Sequence, residues 1–454
     1  MRTFRNLFIC AVMMVLSVSC DGFLEVKPNA RMVVPGTLED CALLLYDYTT
    51  MNCSYPSLGE VSADDYFLPF ENWEAVSITD EKNAYVWLDE APVLNNQWQG
   101  AYKVVFTANQ VLDVIKGIPL ATDQDLYDRV KGAAHFYRAF AFHQLLSTYA
   151  QAYTKETASS KPGIPIRLSP DLDEKTERAT LAECYEQMER DYQTAVRYLP
   201  SFNPMKGQPA KAAAYAGLSR MYLEQQTYDK AMVYADSSLQ LQKGLLDYNT
   251  LNSWAGAPIP EFNVEVLFSA SSIFTMALIQ GNARVDSILY DSYESIDLRK
   301  QVYFNPNYEL PTVSYDIKAT YDRTQAGIFV GLTVSEVLLI KAESATRLGQ
   351  YDKALQAINL LRKNRIIKDK YTDVSITDDP ALLTFILDER RKELVFRGLR
   401  WADLKRLNQN KSTERVLHRK LGDQAYTLSP NSLSYALLIP QDVISESGIE
   451  QNKR

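Results

Sequence analysis

Ala212-Ala213-Ala214-Tyr215, then Leu218 and Tyr222, then Tyr228-Asp229-Lys230-Ala231, is the stretch on which the fold of this 454-residue chain turns. Its apolar positions recur at helical spacing on both sides of a short polar break, which predicts a tight helix pair over 210–223 and 228–241. Small alanines let two helices approach closely, and the tyrosine at the turn packs back on the preceding helix. Leu338-Leu339, Ala342, Ala345 and Gly349, followed by Tyr351-Asp352-Lys353-Ala354, repeat the pattern and predict a second pair over 334–348 and 351–365. Outward from these pairs the period stays helical. Trp98, Tyr102, Val105, Phe106, Val111, Leu112 and Ile115 mark one face of a helix over 94–118. Asp123 starts another that runs to Tyr149, and 180–198 forms a third, stopped by Pro200 because proline cannot continue the hydrogen-bond ladder. A helix over 381–396 and a shorter one after Gly398 complete the set.

The paired pattern resembles the tetratricopeptide repeat, a helix–turn–helix unit of 34 residues. The two matching turns begin at Tyr228 and Tyr351, so this is not a simple tandem array. Residues 133–150 with 180–199 are a candidate third unit split by a loop. The expected fold is therefore mainly α, with tetratricopeptide-like helix pairs as scaffold, long loop-rich insertions and little β. Two stretches lack a clear helical period, 52–92 and 244–331, and both are rich in Tyr, Trp and Phe. Stretches of that length are commonly functional. After a leader, 20–454 reads as one domain: an N-terminal helical part to 243 carrying the loop 52–92, an insertion over 244–332, and a C-terminal helical part over 333–454. Residues 429–445 read as extended and turn segments.

Composition is that of an ordinary buried core, 46% apolar and 23% charged. With 48 basic against 56 acidic residues the net charge is −8, which disfavours nucleic acid as a partner. Three His and five Cys offer little for a metal site, and no cofactor motif is present. Arg2 and Arg5 precede an apolar run of about ten residues, too short to span a bilayer, so 1–19 reads as an export signal. It ends Leu16-Ser17-Val18-Ser19-Cys20, which resembles the lipobox of bacterial lipoproteins, with Cys20 as the lipidated residue. Cys41 and Cys53 read as free thiols in preference to a bridge closing a small loop, and Cys184 reads as core. Glu389 and Glu393 are a carboxylate pair, but neighbouring arginines would hold both ionised, so a structural role is expected. Asp64-Asp65 reads as solvated or capping rather than as a calcium site. No Gly-x-Ser-x-Gly elbow and no phosphate loop occurs.

Several motifs in order resemble the SusD/RagB family of Bacteroidetes nutrient-uptake lipoproteins. They are Asp21-Gly22-Phe23-Leu24-Glu25-Val26-Lys27-Pro28; Trp98, Tyr102 and Asn109; Phe136-Tyr137-Arg138-Ala139; and Gly163-Ile164-Pro165-Ile166. The strongest is Leu387-Asp388-Glu389-Arg390-Arg391-Lys392-Glu393-Leu394, running into Gly398, Arg400, Trp401, Asp403, Leu404, Lys405 and Arg406. The resemblance implies a non-catalytic protein, lipid-anchored and surface-exposed at the outer membrane, that delivers ligand to a SusC-like TonB-dependent β-barrel transporter. Many such proteins bind glycans, whereas the RagB branch handles peptides, for which an acidic surface would favour cationic ones. Loop aromatics suit glycans, because sugar rings present apolar C–H faces that stack on indole and phenol rings. Trp98 and Trp401 lie in motif helices and read as core. Trp73, Trp87 and Trp254 lie in loops and are the first candidates for ligand contact, followed by Tyr66 and Tyr303.

Overall fold

The computed structural model describes residues 35–119, 123–318, 321 and 327–454. The leader 1–19, the lipidation residue Cys20 and the motif 21–28 lie outside the described residues. Asn96–Val114 (α1) is followed by Gln124–Tyr149 (α2), whose first turn is capped by Asp123 accepting from the Leu126 N–H. Thr180 and Glu183 form a reciprocal capping box that starts Leu181–Tyr198 (α3), and that helix stops just before Pro200. Lys211–Glu224 (α4) pairs with Tyr228–Leu241 (α5), and Val334–Arg347 (α6) with Tyr351–Lys363 (α7). Asp379–Glu393 (α8) and Arg400–Leu407 (α9) follow. α2 packs on α3 as the split third pair, and α5 packs on α6, so the two separated repeats meet in space. All sheets among the described residues are two-stranded. The fold is mainly helical, as expected.

Small residues set these crossings. A Cβ on Gly217 would stand 2.5 Å from the Tyr192 ring, so only glycine lets α4 lie so close to α3. α2 is buried on nearly every side, which is why its apolar pattern runs all round the helix. Phe136, Tyr137 and Phe140 surround Phe268 of the insertion, with ring centroids 4.7, 5.6 and 5.0 Å away. The family-like motifs meet here as well. Tyr102 donates to the Pro165 carbonyl (2.8 Å), and Asn109 donates to the Arg167 carbonyl (3.0 Å) while accepting from Arg138 (2.8 Å).

The irregular stretches contain more structure than their sequence shows. Residues 52–92 hold helices Leu58–Ser62, Phe70–Ala75 and Thr79–Tyr85, and the C-terminal segment holds Gln441–Ser447. Each is two turns or fewer, too short for a 3.6-residue period to register. Cys41 and Cys53 are not bridged to each other, and Cys41 and Cys184 are buried.

The charged C-terminal signature is a set of buried ion pairs. Arg299 reaches Asp297 and Glu389 (both 2.7 Å) and Glu393 (3.3 Å), while Arg365 joins Glu393 (2.8 Å) to Glu265 (2.7 Å). Arg362 adds a second contact to Glu389 (3.0 Å). Asp403 binds Arg390 and Arg406, and Arg406 also grips Glu343 on α6 at 2.6 Å. Burial opposes ionisation of Glu389, but Arg299, Lys392 and Arg362 hold its carboxyl down at about 2. Against the same burial, Arg390 and Arg406 hold Asp403 at about 2, and Arg365 and Arg299 lower Glu393. A carboxylate depressed on folding stabilises the native state fully above its unfolded pKa and loses that contribution as pH falls through the folded one. For Glu389 the drop from 4.5 to about 2 corresponds to about 3 kcal/mol. Stability is therefore expected to fall steeply between pH 4.5 and 2. Urea midpoints measured across that range check it, and a flat profile would contradict it.

Candidate functional site

Tyr66–Phe67 (β1) pairs antiparallel with Arg284–Val285 (β2), joining the 52–92 stretch to the insertion. Near it lies a hairpin of Leu417–Leu421 (β3) and Gln424–Leu428 (β4) that turns at Gly422, whose φ of 56° suits glycine. Along β3 the side chains alternate, with Leu417, Arg419 and Leu421 buried and His418 and Lys420 exposed. Between β1 and β3 opens a cleft of about 370 Å³. Phe67 and Trp87 supply its aromatic wall, and Arg391, Arg415, His418 and Lys420 stand on its polar sides.

Asp64 and Asp65, expected to be solvated or capping, instead anchor the base of this cleft. Arg400 binds Asp64 (2.6 Å), and Arg391 binds Asp65 (2.7 Å) and the Asp64 carbonyl (2.8 Å). These contacts tie the 52–92 stretch to α8 and α9. Burial alone would raise Asp64, but Arg400, Arg391 and Arg415 hold it well below the usual carboxylate range. Glu60 lies behind the pair with both carboxyl oxygens buried and unbonded among the described residues. Burial, reinforced by Asp65, pushes its carboxyl well above the ordinary carboxylate value.

The five aromatic candidates separate. Trp87 is half-buried, sits in a left-handed conformation (φ 57°), and donates its indole N–H to the Ser62 carbonyl at 3.0 Å. That bond fixes the ring at the cleft wall. Tyr66 reaches the same cleft but is buried, its hydroxyl spent on the Val61 carbonyl (2.6 Å). Tyr303 is also core, hydrogen-bonded to Tyr248 (3.0 Å). Neither tyrosine offers a ring face to ligand, because the packing that orders it covers it. Trp73 stacks on Phe70 (6.3 Å), with the Lys82 ammonium 4.4 Å from its ring. Trp254 is 95% exposed and does not line the cleft. Trp98 and Trp401 are core, as expected. Sequence reasoning missed Phe67, Arg415 and Lys420. The two-residue alternation over 417–421 was the available signal for the hairpin face.

A mainly helical scaffold of paired helices thus carries a cleft between β1 and β3. Residues 22–223 match the family model described as starch-binding associating with outer membrane, and residues 313–442 match the SusD family model. The chain belongs to the SusD/RagB family. A SusD-like protein, P2, of Formosa agariphila is 24% identical over 411 residues, spanning 78% of this chain and 76% of the relative. A SusD superfamily protein of Bacteroides thetaiotaomicron superposes with a TM-score of 0.75 at 24% identity, covering 92% of this chain and all of the other. Surface glycan-binding protein A of Bacteroides fluxus superposes with a TM-score of 0.68 at 17% identity, covering 92% and 99%. At such identities the structural likeness establishes the fold.

Proposed function

We propose that the protein binds a nutrient oligosaccharide in the β1–β3 cleft and delivers it to a partner SusC-like TonB-dependent transporter. In this reading it is held at the outer membrane by lipid on Cys20 and exposed at the cell surface. The observation that carries the reading is the fixed, half-buried indole of Trp87 beside Phe67, facing exposed hydrogen-bonding side chains across a cleft wide enough for a sugar ring. The family model's description as starch-binding and the Bacteroides fluxus neighbour's name support the ligand class. Binding without turnover fits the site's carboxyl groups. Asp64 and Asp65 are held by arginines, Asp286 stands 3.5 Å from Arg391, and the Glu60 carboxyl oxygens are buried away from any ligand. Glycoside hydrolysis would need two carboxyl groups flanking the bond.

Calorimetric titration of the full chain in detergent, against paired panels of oligosaccharides and peptides, tests this. Saccharide binding is the expected result. Binding of peptides alone would overturn it in favour of a RagB-like peptide carrier.

A further inference from the structure

The charge of the cleft is opposite to that of the molecule. The chain carries −8 overall, yet Arg391, Arg415, Arg419 and Lys420 line this one cleft against only Asp64 and Asp286. Arg391 is used up on Asp64 and Asp65. The other three cations are not neutralised in this way. Arg419 is buried, with its guanidinium 3.8 Å from the centre of the Tyr85 ring and 5.5 Å from that of Trp87. It donates only to the backbone carbonyls of Tyr66 (2.6 Å) and Ala63, and its buried Nε has no acceptor among the described residues. No described carboxylate lies within 4.0 Å of it. A buried guanidinium without a carboxylate is costly, so it leaves a positive potential that the fold itself does not cancel. Arg415 has a side chain 49% exposed and only a long contact to Asp64 (3.5 Å), an acid already held by Arg400. Lys420 is exposed on the open face of β3 and makes no ion pair among the described residues.

We propose that the cleft selects an anionic oligosaccharide, one whose carboxylate or sulfate groups lie between Arg415 and Lys420 while a sugar ring stacks on Trp87. This rests on the glycan-binding reading and narrows it. Charge-assisted hydrogen bonds to such groups are about twice as strong as neutral ones.

The test is calorimetric titration of the full chain in detergent with three probes of equal length: an oligogalacturonate, a sulfated galacto-oligosaccharide and a neutral galacto-oligosaccharide. At least one acidic probe is expected to bind about tenfold or more tighter than the neutral one. Which of the two wins identifies carboxylate or sulfate as the recognised group. The preference should shrink at 0.5 M salt and vanish in the Arg415→Gln/Lys420→Ala double variant. Both side chains reach solvent, so the variant should melt like the parent, and a melt confirms that it is folded. Equal affinity for neutral and acidic probes overturns the inference and leaves the glycan reading intact. Failure of all three probes while an acidic peptide binds overturns both.

Discussion

Replacing Arg365 with methionine is expected to cost about 3–5 kcal/mol of stability, read as a melting temperature well below that of the parent chain. Arg365 is fully buried and bridges two carboxylates contributed by segments far apart in sequence, Glu265 in the insertion and Glu393 on α8. Its guanidinium also lies 4.0 Å from the centre of the Tyr248 ring and donates to the Leu246 carbonyl at 2.8 Å. Methionine fills much of the volume but leaves both carboxylates short of a cation, and an uncompensated buried charge is the expensive outcome. Among the described residues, Glu265 would keep only its bonds from the Leu246 N–H (2.8 Å) and Tyr321 (3.0 Å). Removing the exposed pair Lys175–Glu177 is the matched control and should not move the melt, because solvent screens such contacts. A parent-like melt for Arg365→Met would mean that the network is not what holds the insertion to the C-terminal helices.

Trp87→Ala is expected to weaken saccharide affinity about tenfold or more while leaving the chain folded. The indole is both a stacking surface and a fixed one, because its N–H is committed to Ser62 and its backbone to a left-handed conformation. Alanine removes the surface and opens the cleft. Trp87→Phe keeps a ring but loses the anchoring bond, so an intermediate affinity is expected. Lys155→Ala, on an exposed turn, is the control and should leave affinity unchanged. Titration of the three variants with the best-binding oligosaccharide decides it. Wild-type affinity in Trp87→Ala would move the site elsewhere, with exposed Trp254 the next ring to test.

The helices were legible because helical periodicity is a local property. Within a few residues of their predicted bounds, α1 to α9 follow from apolar spacing, the start at Asp123 and the stop at Pro200. The exposed face of β3 was legible in principle for the same reason, though five residues among many irregular ones made a weak signal. The short helices within 52–92 were not, since two turns carry too few positions to show a period. The role of Glu389 and Glu393 was half legible: their spacing placed them on one helix face beside arginines. Their strongest partners, however, are Arg299 and Arg365, which come from other segments of the chain. Tyr66 and Trp87 show where sequence stops. Both are aromatic residues of the 52–92 stretch, both reach one cleft, and only the tertiary packing buries one ring and leaves the other partly open. By itself, then, the sequence determined the helical scaffold, the net charge and the motifs that mark the family. Which rings face solvent, which acids are neutralised, and that an acidic protein opens a basic cleft were decided by contacts spanning up to 356 residues of chain. Burial and pairing are properties of neighbours in space, and the neighbours of Asp64, Trp87 and Arg419 are chosen by the fold.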